Sequence, residues 1–276
     1  MLVRIGSRGS RLALTQAGLA AERLRRPGLE LALVPITTAG DRDRTKPFGE
    51  IGSRGVFVKE LEEALLSERV DVAVHSAKDM TSTDADGLVV GAYLEREDPR
   101  DALCGAAELR AGMRIGTASV RRRAQLLALE PKLVIEPLRG NIDTRLRKRR
   151  ERGLDAVVLA ACGLDRLGLG AAIDLRFDPS ELLPEAGQGA LALQVRAGEE
   201  TLVAAADHAE TRQRVEAERA CVAAVGGGCL APVAAFHDGA TLTALVAAED
   251  GTWMRRLTGD DPRELGRELA ALAEAS

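Results

Sequence analysis

Residues Met1–Ala17 read MLVRIGSRGSRLALTQA, and the change of pattern inside this stretch decides the fold. MLVRIGS is a short apolar run of strand character. From Leu12 the apolar residues recur at helical spacing up to Arg26, where Pro27–Gly28 stops the helix. A strand that feeds a helix through a tight polar turn is the half-unit of an α/β sheet. Ser7, Arg8, Ser10 and Gln16 fall at that turn and at the start of the helix. Free N–H groups at a helix start favour anions, so the turn is also a candidate anion site.

The same rhythm runs outward from it. LELALVPITTAG is the next strand, and a loop, GDRDRTKPFGEIGSRG, leads into the helix VFVKELEEALLSER. Val58, Leu61, Leu65 and Leu66 are its expected apolar stripe. VDVAVHSAKD reads as a buried strand whose end carries His75, Ser76, Lys78 and Asp79. After LVVGAYLEREDPRDALCG the plan restarts with MRIGTASVRRRAQLLAL, KLVIEPLRGNIDTRLRKRRERG and LDAVVLAACGLDRLGLG. No sequence repeat links the two halves, yet both alternate strand and helix. Such halves are expected to enclose a cleft lined by strand C-termini and helix N-termini.

EREDPRDA is the expected hinge, and LLPEAGQGALALQVR is expected to return the chain to the first half. From about Thr211 a third unit begins with the helix RQRVEAERACVAAV, followed by AVGGGCLAPV. Turn signals at Asp238–Gly239 and Asp250–Gly251 separate short runs, and DPRELGRELAALAEAS closes the chain as an amphipathic helix. The expected class is therefore α/β with three domains. Residues 1–94 with 190–207 form the first, 100–183 the second, and 211–276 a small α+β third.

Composition narrows the function. The 276 residues are 46% hydrophobic but only 2% aromatic, so the core must be built from Ala, Leu and Val. No run approaches the roughly 20 apolar residues of a membrane span. The N-terminus lacks a secretory pattern, which, with four scattered cysteines, leads to the expectation of a reducing cytoplasm. Cys104, Cys162, Cys221 and Cys229 form no C-x-x-C pair, and His75, His208 and His237 lie far apart, so no metal site is expected. A net charge of -4 and the lack of interleaved aromatics argue against nucleic acid as the partner of TRLRKRRER. No large exposed apolar surface is foreseen, and a monomer is expected.

The strand ends concentrate basic and small polar residues. GTASVRRRAQ offers Thr117, Ser119, Arg121 and Arg122, with Ser119 as the N-cap, LRGNIDTRL offers Arg139, Asn141 and Arg145, and GLDRLG offers Arg166. Arginine presents a fork matched to carboxylate or phosphate, so together with Arg8 these residues describe an anion-binding cleft. Most of RLRKRRER reads as a solvated face, with Arg145 the exception. Asp79, beside Lys78, is either a salt-bridge partner or a functional acid. His75 reads as a buried, hydrogen-bonded structural histidine. Cys104, Cys162 and Cys221 lie in apolar contexts and read as packing residues. Cys229, after three glycines, has four readings: packing, metal ligation, a disulfide or covalent chemistry. A non-catalytic anion-binding protein is the rival to an enzyme.

The ordered set IGSRGSRLALTQA, GVFVKELEEALL, DVAVHSAKDM, LEREDPRDAL, IGTASVRRRAQL, LRGNIDTRL, LAACGLDRLGL, LPEAGQGAL and EAERACVAAVGGGCLAPV resembles the porphobilinogen deaminase (hydroxymethylbilane synthase) family over nearly the whole chain. The resemblance implies a tetrapyrrole-pathway transferase. It would join four porphobilinogen molecules head to tail, release ammonia at each step, and free a linear hydroxymethylbilane. It implies a dipyrromethane cofactor, made from the substrate's own pyrroles and held by a thioether to Cys229, with no metal, nucleotide or vitamin. Two domains would resemble type II periplasmic binding proteins, and the third would carry the cofactor loop.

By the same resemblance, Ser76, Lys78, Thr117, Ser119, Arg121 and Arg122 match cofactor contacts. Arg8, Ser10, Gln16, Arg139, Arg145 and Arg166 match the substrate-binding cleft. Each pyrrole carries an acetate and a propionate, which explains a basic cleft in an acidic protein. Asp79 matches the catalytic aspartate, stabilising the cationic azafulvene left when ammonia departs. The loop GDRDRTKPFGEIGSRG matches a mobile lid. Its RDRTKP departs from the family pattern around Lys46 and Arg54, while Phe57 and Lys59 lie in the matching VFVKE.

Overall fold

The computed structural model describes residues 1–37, 58–81, 85–226 and 232–275. Cys229 and Lys46, Arg54 and Phe57 of the expected lid lie outside the described residues. The chain divides into two compact units, Met1–Glu97 with Ala190–Gln213 and Asp98–Gly189 with Arg214–Ser276. Among the described residues, ten strands build two mixed sheets. In chain order they are β1 (Leu2–Arg8), β2 (Glu30–Ile36), β3 (Val72–Ser76), β4 (Leu88–Tyr93) and β5 (Asp101–Cys104). Then follow β6 (Arg114–Gly116), β7 (Val134–Glu136), β8 (Ala156–Ala160), β9 (Leu175–Arg176) and β10 (Leu191–Arg196).

The first unit holds the sheet β2-β1-β3-β10-β4. β1 runs parallel to β2 and β3, and β10 runs antiparallel to β3 and β4. Side chains alternate along β3, as a strand buried on both faces requires. Val72 and Val74 join Ile5 of β1 and Ala17 and Ala20 of α1 (Arg11–Leu24) in one core. Ala73 joins Leu61, Ala64 and Leu65 of α2 (Lys59–Leu66) in the other. Leu66, expected on the buried stripe of α2, is 53% exposed, and Ala64 takes the inward place.

The second unit repeats the arrangement with β7-β6-β8-β5-β9. β6 is parallel to β7 and β8, and β5 is antiparallel to β8 and β9. Here α3 (Val120–Leu129) and α4 (Ile142–Glu151) alternate with the parallel strands, and a short helix, α5 (Ala161–Arg166), follows β8 directly. The unit also contains the antiparallel sheet β11 (Val233–His237), β12 (Leu242–Ala247) and β13 (Met254–Gly259). Ala234, Leu245 and Ala247 of this sheet share a core with Ala124 of α3 and Leu183, so the small sheet is packed against the α/β layer. Two further helices, α6 (Ala209–Val225) and α7 (Pro262–Glu274), complete the chain. They meet closely at Gly266, where a Cβ would run into the Cys221 carbonyl and Ala224.

Candidate active site and its anion-binding residues

In the first unit the β1–α1 junction and the end of β3 open onto one recess of about 530 Å³, its mouth included, within the size range of a small-molecule site. Arg8, Ser10 and Gln16 line it from the β1–α1 side, and Ser76, Lys78 and Asp79 from the end of β3. Leu12, Ala13, Val58, Leu61 and Val74 supply an apolar wall. Ser10 caps α1: its hydroxyl accepts the Ala13 N–H at 3.2 Å. The first turn of α1 contains no acidic residue, so the positive end of the helix is not offset by its own side chains. After β3 the chain makes a 3₁₀ turn over Ala77–Asp79. Buried Ala77 anchors it by donating its N–H to the Ala190 carbonyl at 3.0 Å. That anchor leaves Lys78 and Asp79 half-buried on the recess.

Asp79 is the one carboxylate among the described lining residues. Cations, hydroxyls and a helix start surround it, with an apolar wall at the side. Such a set offers ionic and hydrogen-bond partners to acidic groups, and its single negative charge is suited to stabilising a positive charge that develops beside it.

The second unit builds its strand–helix junction differently. Ser119 caps α3 by accepting the Arg122 N–H at 3.3 Å, and Thr117 accepts the Ser119 N–H at 3.2 Å. Arg121 and Arg122 follow the cap, and both are buried. Arg121 meets Asp101 at 2.8 Å and Glu185 at 3.1 Å and donates to the Leu183 carbonyl at 2.6 Å. Arg122 donates twice to the other Asp101 oxygen, at 3.1 and 2.7 Å, and to the Val158 carbonyl at 3.2 Å. Gln188 adds a further hydrogen bond to that oxygen at 2.9 Å. Burial works to raise the Asp101 carboxyl, but the charges of Arg121 and Arg122 hold it well below the usual carboxylate range. The expected cofactor residues Arg121 and Arg122 are thus buried against Asp101 in this structure. Two cations in the first turn of a helix are unfavourable, and the chain satisfies them internally with Asp101.

The other expected arginines sit at turns of the same unit. Arg145 donates to the Gly140 carbonyl at 2.7 Å, and the Arg139 carbonyl accepts from Lys148 at 3.2 Å. Arg139 precedes and Arg145 bonds back to Gly140, whose φ of 126° favours glycine. Arg166, at the end of α5, donates to the Gly189 carbonyl at 2.7 Å. Among the described residues, the expected site residues thus fall into a recess in the first unit and separate loop and helix positions in the second. Lys59, expected at the lid, is an exposed residue at the start of α2.

Sequence reasoning missed Asp101 and Gln188 of the Arg121–Arg122 network and two other buried polar residues, Gln194 and Glu218. Glu218 of α6 is fully buried and accepts the backbone N–H groups of Gly187 and His237 at 2.7 and 2.8 Å. An acid within an apolar run, as in RDALC or VEAERACVAAV, is the signal that could have found such residues. A charge enters a core only with partners. The three expected packing cysteines, Cys104, Cys162 and Cys221, are all buried. Burial pushes the Cys104 thiol up to about 11 and the Cys221 thiol up to about 12.

Fold and recess define an α/β protein whose first unit carries a recess lined by cations, hydroxyls and a single carboxylate. Residues 3–204 match the family model described as "Porphobilinogen deaminase, dipyromethane cofactor binding domain", and residues 212–275 match "Porphobilinogen deaminase, C-terminal domain". Porphobilinogen deaminase of Bacillus subtilis is 42% identical over 98% of this chain and 92% of its own. That of Chromobacterium violaceum is 45% identical over 96% of this chain and 92% of its own. Among solved structures, the methionine binding protein MetQ aligns with 77% of this chain and 92% of its own, at 14% identity and a TM-score of 0.46. The chain belongs to the porphobilinogen deaminase family.

Proposed function

We propose that this chain carries out its family's reaction at the recess of the first unit, with Asp79 as the catalytic acid group and Cys229 as the cofactor attachment. The reaction is a transfer: four porphobilinogen molecules condense, with release of ammonia, into linear hydroxymethylbilane on a dipyrromethane primer. The observation that carries the reading is the isolation of Asp79 among cations, hydroxyls and apolar side chains.

The donor set fits the cofactor's chemistry, because a dipyrromethane combines apolar rings with acetate and propionate side chains. When bound, the cofactor supplies a nucleophilic pyrrole carbon on which the chain is extended. Ser76 and Lys78 would hold its carboxylates in the first unit, and Thr117 and Ser119 would do so at the first turn of α3. For Arg121 the proposal takes a specific form. A ligand carboxylate competes with Glu185, the more exposed of its two acids, while buried Asp101 keeps Arg121 and Arg122 in place. Arg8, Ser10 and Gln16, with Arg139, Arg145 and Arg166, are assigned to the substrate's carboxylates.

Asp79 keeps its negative charge beside the pyrrole whose aminomethyl group leaves as ammonia. It stabilises the positive charge that grows on that ring, the mirror image of an oxyanion hole. The apolar wall of Leu12, Val58 and Leu61 limits water around that charge and strengthens the interaction.

The same reading divides the enzyme into three domains, 1–94 with 190–207, 100–183 and 211–276, and has it act as a cytoplasmic monomer on a small molecule, with neither nucleic acid nor membrane as partner. A net charge of -4 supports the exclusion of nucleic acid. Intact mass tests the attachment. Purified holoprotein should exceed the mass of the polypeptide by one dipyrromethane, and Cys229→Ser should not. An unmodified chain that still makes hydroxymethylbilane would overturn the assignment.

A further inference from the structure

One buried polar group of the recess has no part in the assignments above. His75 lines the recess with Asp79 and is only 5% exposed. It is the fourth residue of β3, so alternation turns it to the same side as Ala73, toward α2. Its Nε2 lies 3.0 Å from Oε1 of Gln194, a fully buried residue of β10. The Gln194 carboxamide nitrogen in turn donates to Glu62 Oε1 of α2 at 3.1 Å. The register between β10 and β4 shifts between Leu193 and Gln194, an irregularity of the kind that re-aims a side chain.

This chain of contacts has a direction. A carboxylate accepts and never donates, so the NH₂ of Gln194 faces Glu62 and its carbonyl oxygen faces the histidine. The hydrogen between His75 and Gln194 then belongs to Nε2. A carboxamide oxygen is also a neutral partner, one that does not recruit an imidazolium as a carboxylate in the same place would.

We propose that His75 is a positioning residue of the Asp79 site, fixed as the neutral Nε2–H tautomer by the Gln194–Glu62 chain. The proposal rests on Asp79 being the reaction's acid group. Its consequence is electrostatic. Among the described residues, Arg8 of β1, Lys78 of the 3₁₀ turn and Glu62 of α2 carry charge beside the ring and Asp79. An imidazolium in the same recess would add a further positive charge and cancel part of the field Asp79 exerts on a cationic ring. Gln194 prevents this by offering Nε2 a neutral acceptor, and Glu62 prevents the carboxamide from turning over.

The test uses the holoenzyme with ¹⁵N-labelled histidine, the His75 signals being assigned by their loss in His75→Gln. At neutral pH the wild-type protein should show a protonated Nε2 and an unprotonated Nδ1. Gln194→Glu should make the ring doubly protonated and lower kcat by roughly 10-fold or more, a part of the loss expected from removing an electrostatic group outright. Its KM should change little, because the new imidazolium is paired with the new carboxylate and the net charge of the recess is unaltered. If Gln194→Glu does not fold, Glu62→Gln decides, since it should blur the single tautomer into a mixture. An Nδ1–H ring in the wild type, an unchanged kcat in a doubly protonated Gln194→Glu, or an unaltered tautomer in Glu62→Gln would each overturn the proposal. Failure of the underlying Asp79 reading is separately visible, because Asp79→Asn would then turn over normally whatever the tautomer of His75.

Discussion

The β1–α1 junction of the first unit leaves Arg8 and Ser10 half-buried on an open recess, whereas the β6–α3 junction of the second buries Arg121 and Arg122 against Asp101. Both junctions carry a serine N-cap, and both helices lack an acid in their first turn. The difference is the place of the arginine relative to the cap. Arg8 precedes Ser10 at the end of a strand, where its side chain reaches the recess. Arg121 and Arg122 follow Ser119 inside the first turn, where their charge opposes the helix dipole and calls for a carboxylate, which β5 supplies from two strands away in the sheet. One junction leaves its arginine on a recess, and the other pairs its arginines with an acid of the same unit.

Removing the internal anion gives the largest expected effect on stability. Asp101→Asn leaves two buried guanidinium groups short of a counter-charge, and loss of one partner from such a cluster costs about 3–5 kcal/mol. Urea unfolding would measure it, and a cost below that of an exposed pair would show that the buried cluster is not what distinguishes the second unit. The same residue sets a pH dependence. Asp101 is held below its ordinary value of 3.8, so its contribution is fully present above that range and is lost as pH falls through it. The acid limb of the wild-type stability curve should therefore be steeper than that of Asp101→Asn.

The next effect concerns the thiols. With Cys104 raised to about 11 and Cys221 to about 12 from an ordinary 9.0, the folded protein keeps protons that the unfolded chain loses. Stability should fall as pH rises from 9.0 toward those values. In a Cys229→Ser background, alkylation at pH 8 should leave Cys104 and Cys221 unmodified until the protein is unfolded. Rapid native labelling of either would contradict their burial.

Smaller again are the caps. Ser10→Ala and Ser119→Ala should each cost about 1 kcal/mol by removing one first-turn acceptor. The comparison predicts that they separate in function: Ser10→Ala should also raise the KM for porphobilinogen, since Ser10 stands on the recess. Equal, purely structural effects at both caps would weaken the contrast between the junctions.

Much of this was legible in the sequence for physical reasons. Val72, Ala73 and Val74 alternate between two cores, and the apolar run VDVAV announces a strand covered on both faces. SRGS and TASV mark their caps because serine competes for helix N–H groups. The fate of Arg121 and Arg122 was not legible, since it depends on Asp101, 20 residues earlier in the chain and on another strand. The Gln194–His75 contact spans 119 residues and exists only because β10 returns to pair with β3. Leu66 was misassigned because a two-residue apolar pair at a helix end satisfies the periodicity whichever member turns inward.

The central claim is that the first unit's recess works through the charge of Asp79. Its most direct test is the steady-state rate of Asp79→Asn holoprotein whose intact mass shows the cofactor attached and whose unfolding midpoint matches the wild type. Removal of a comparable electrostatic group typically costs about 10²–10³ in rate, and kcat should fall at least that far while the protein still binds porphobilinogen. Turnover at the wild-type rate in that correctly loaded, folded variant would contradict the account.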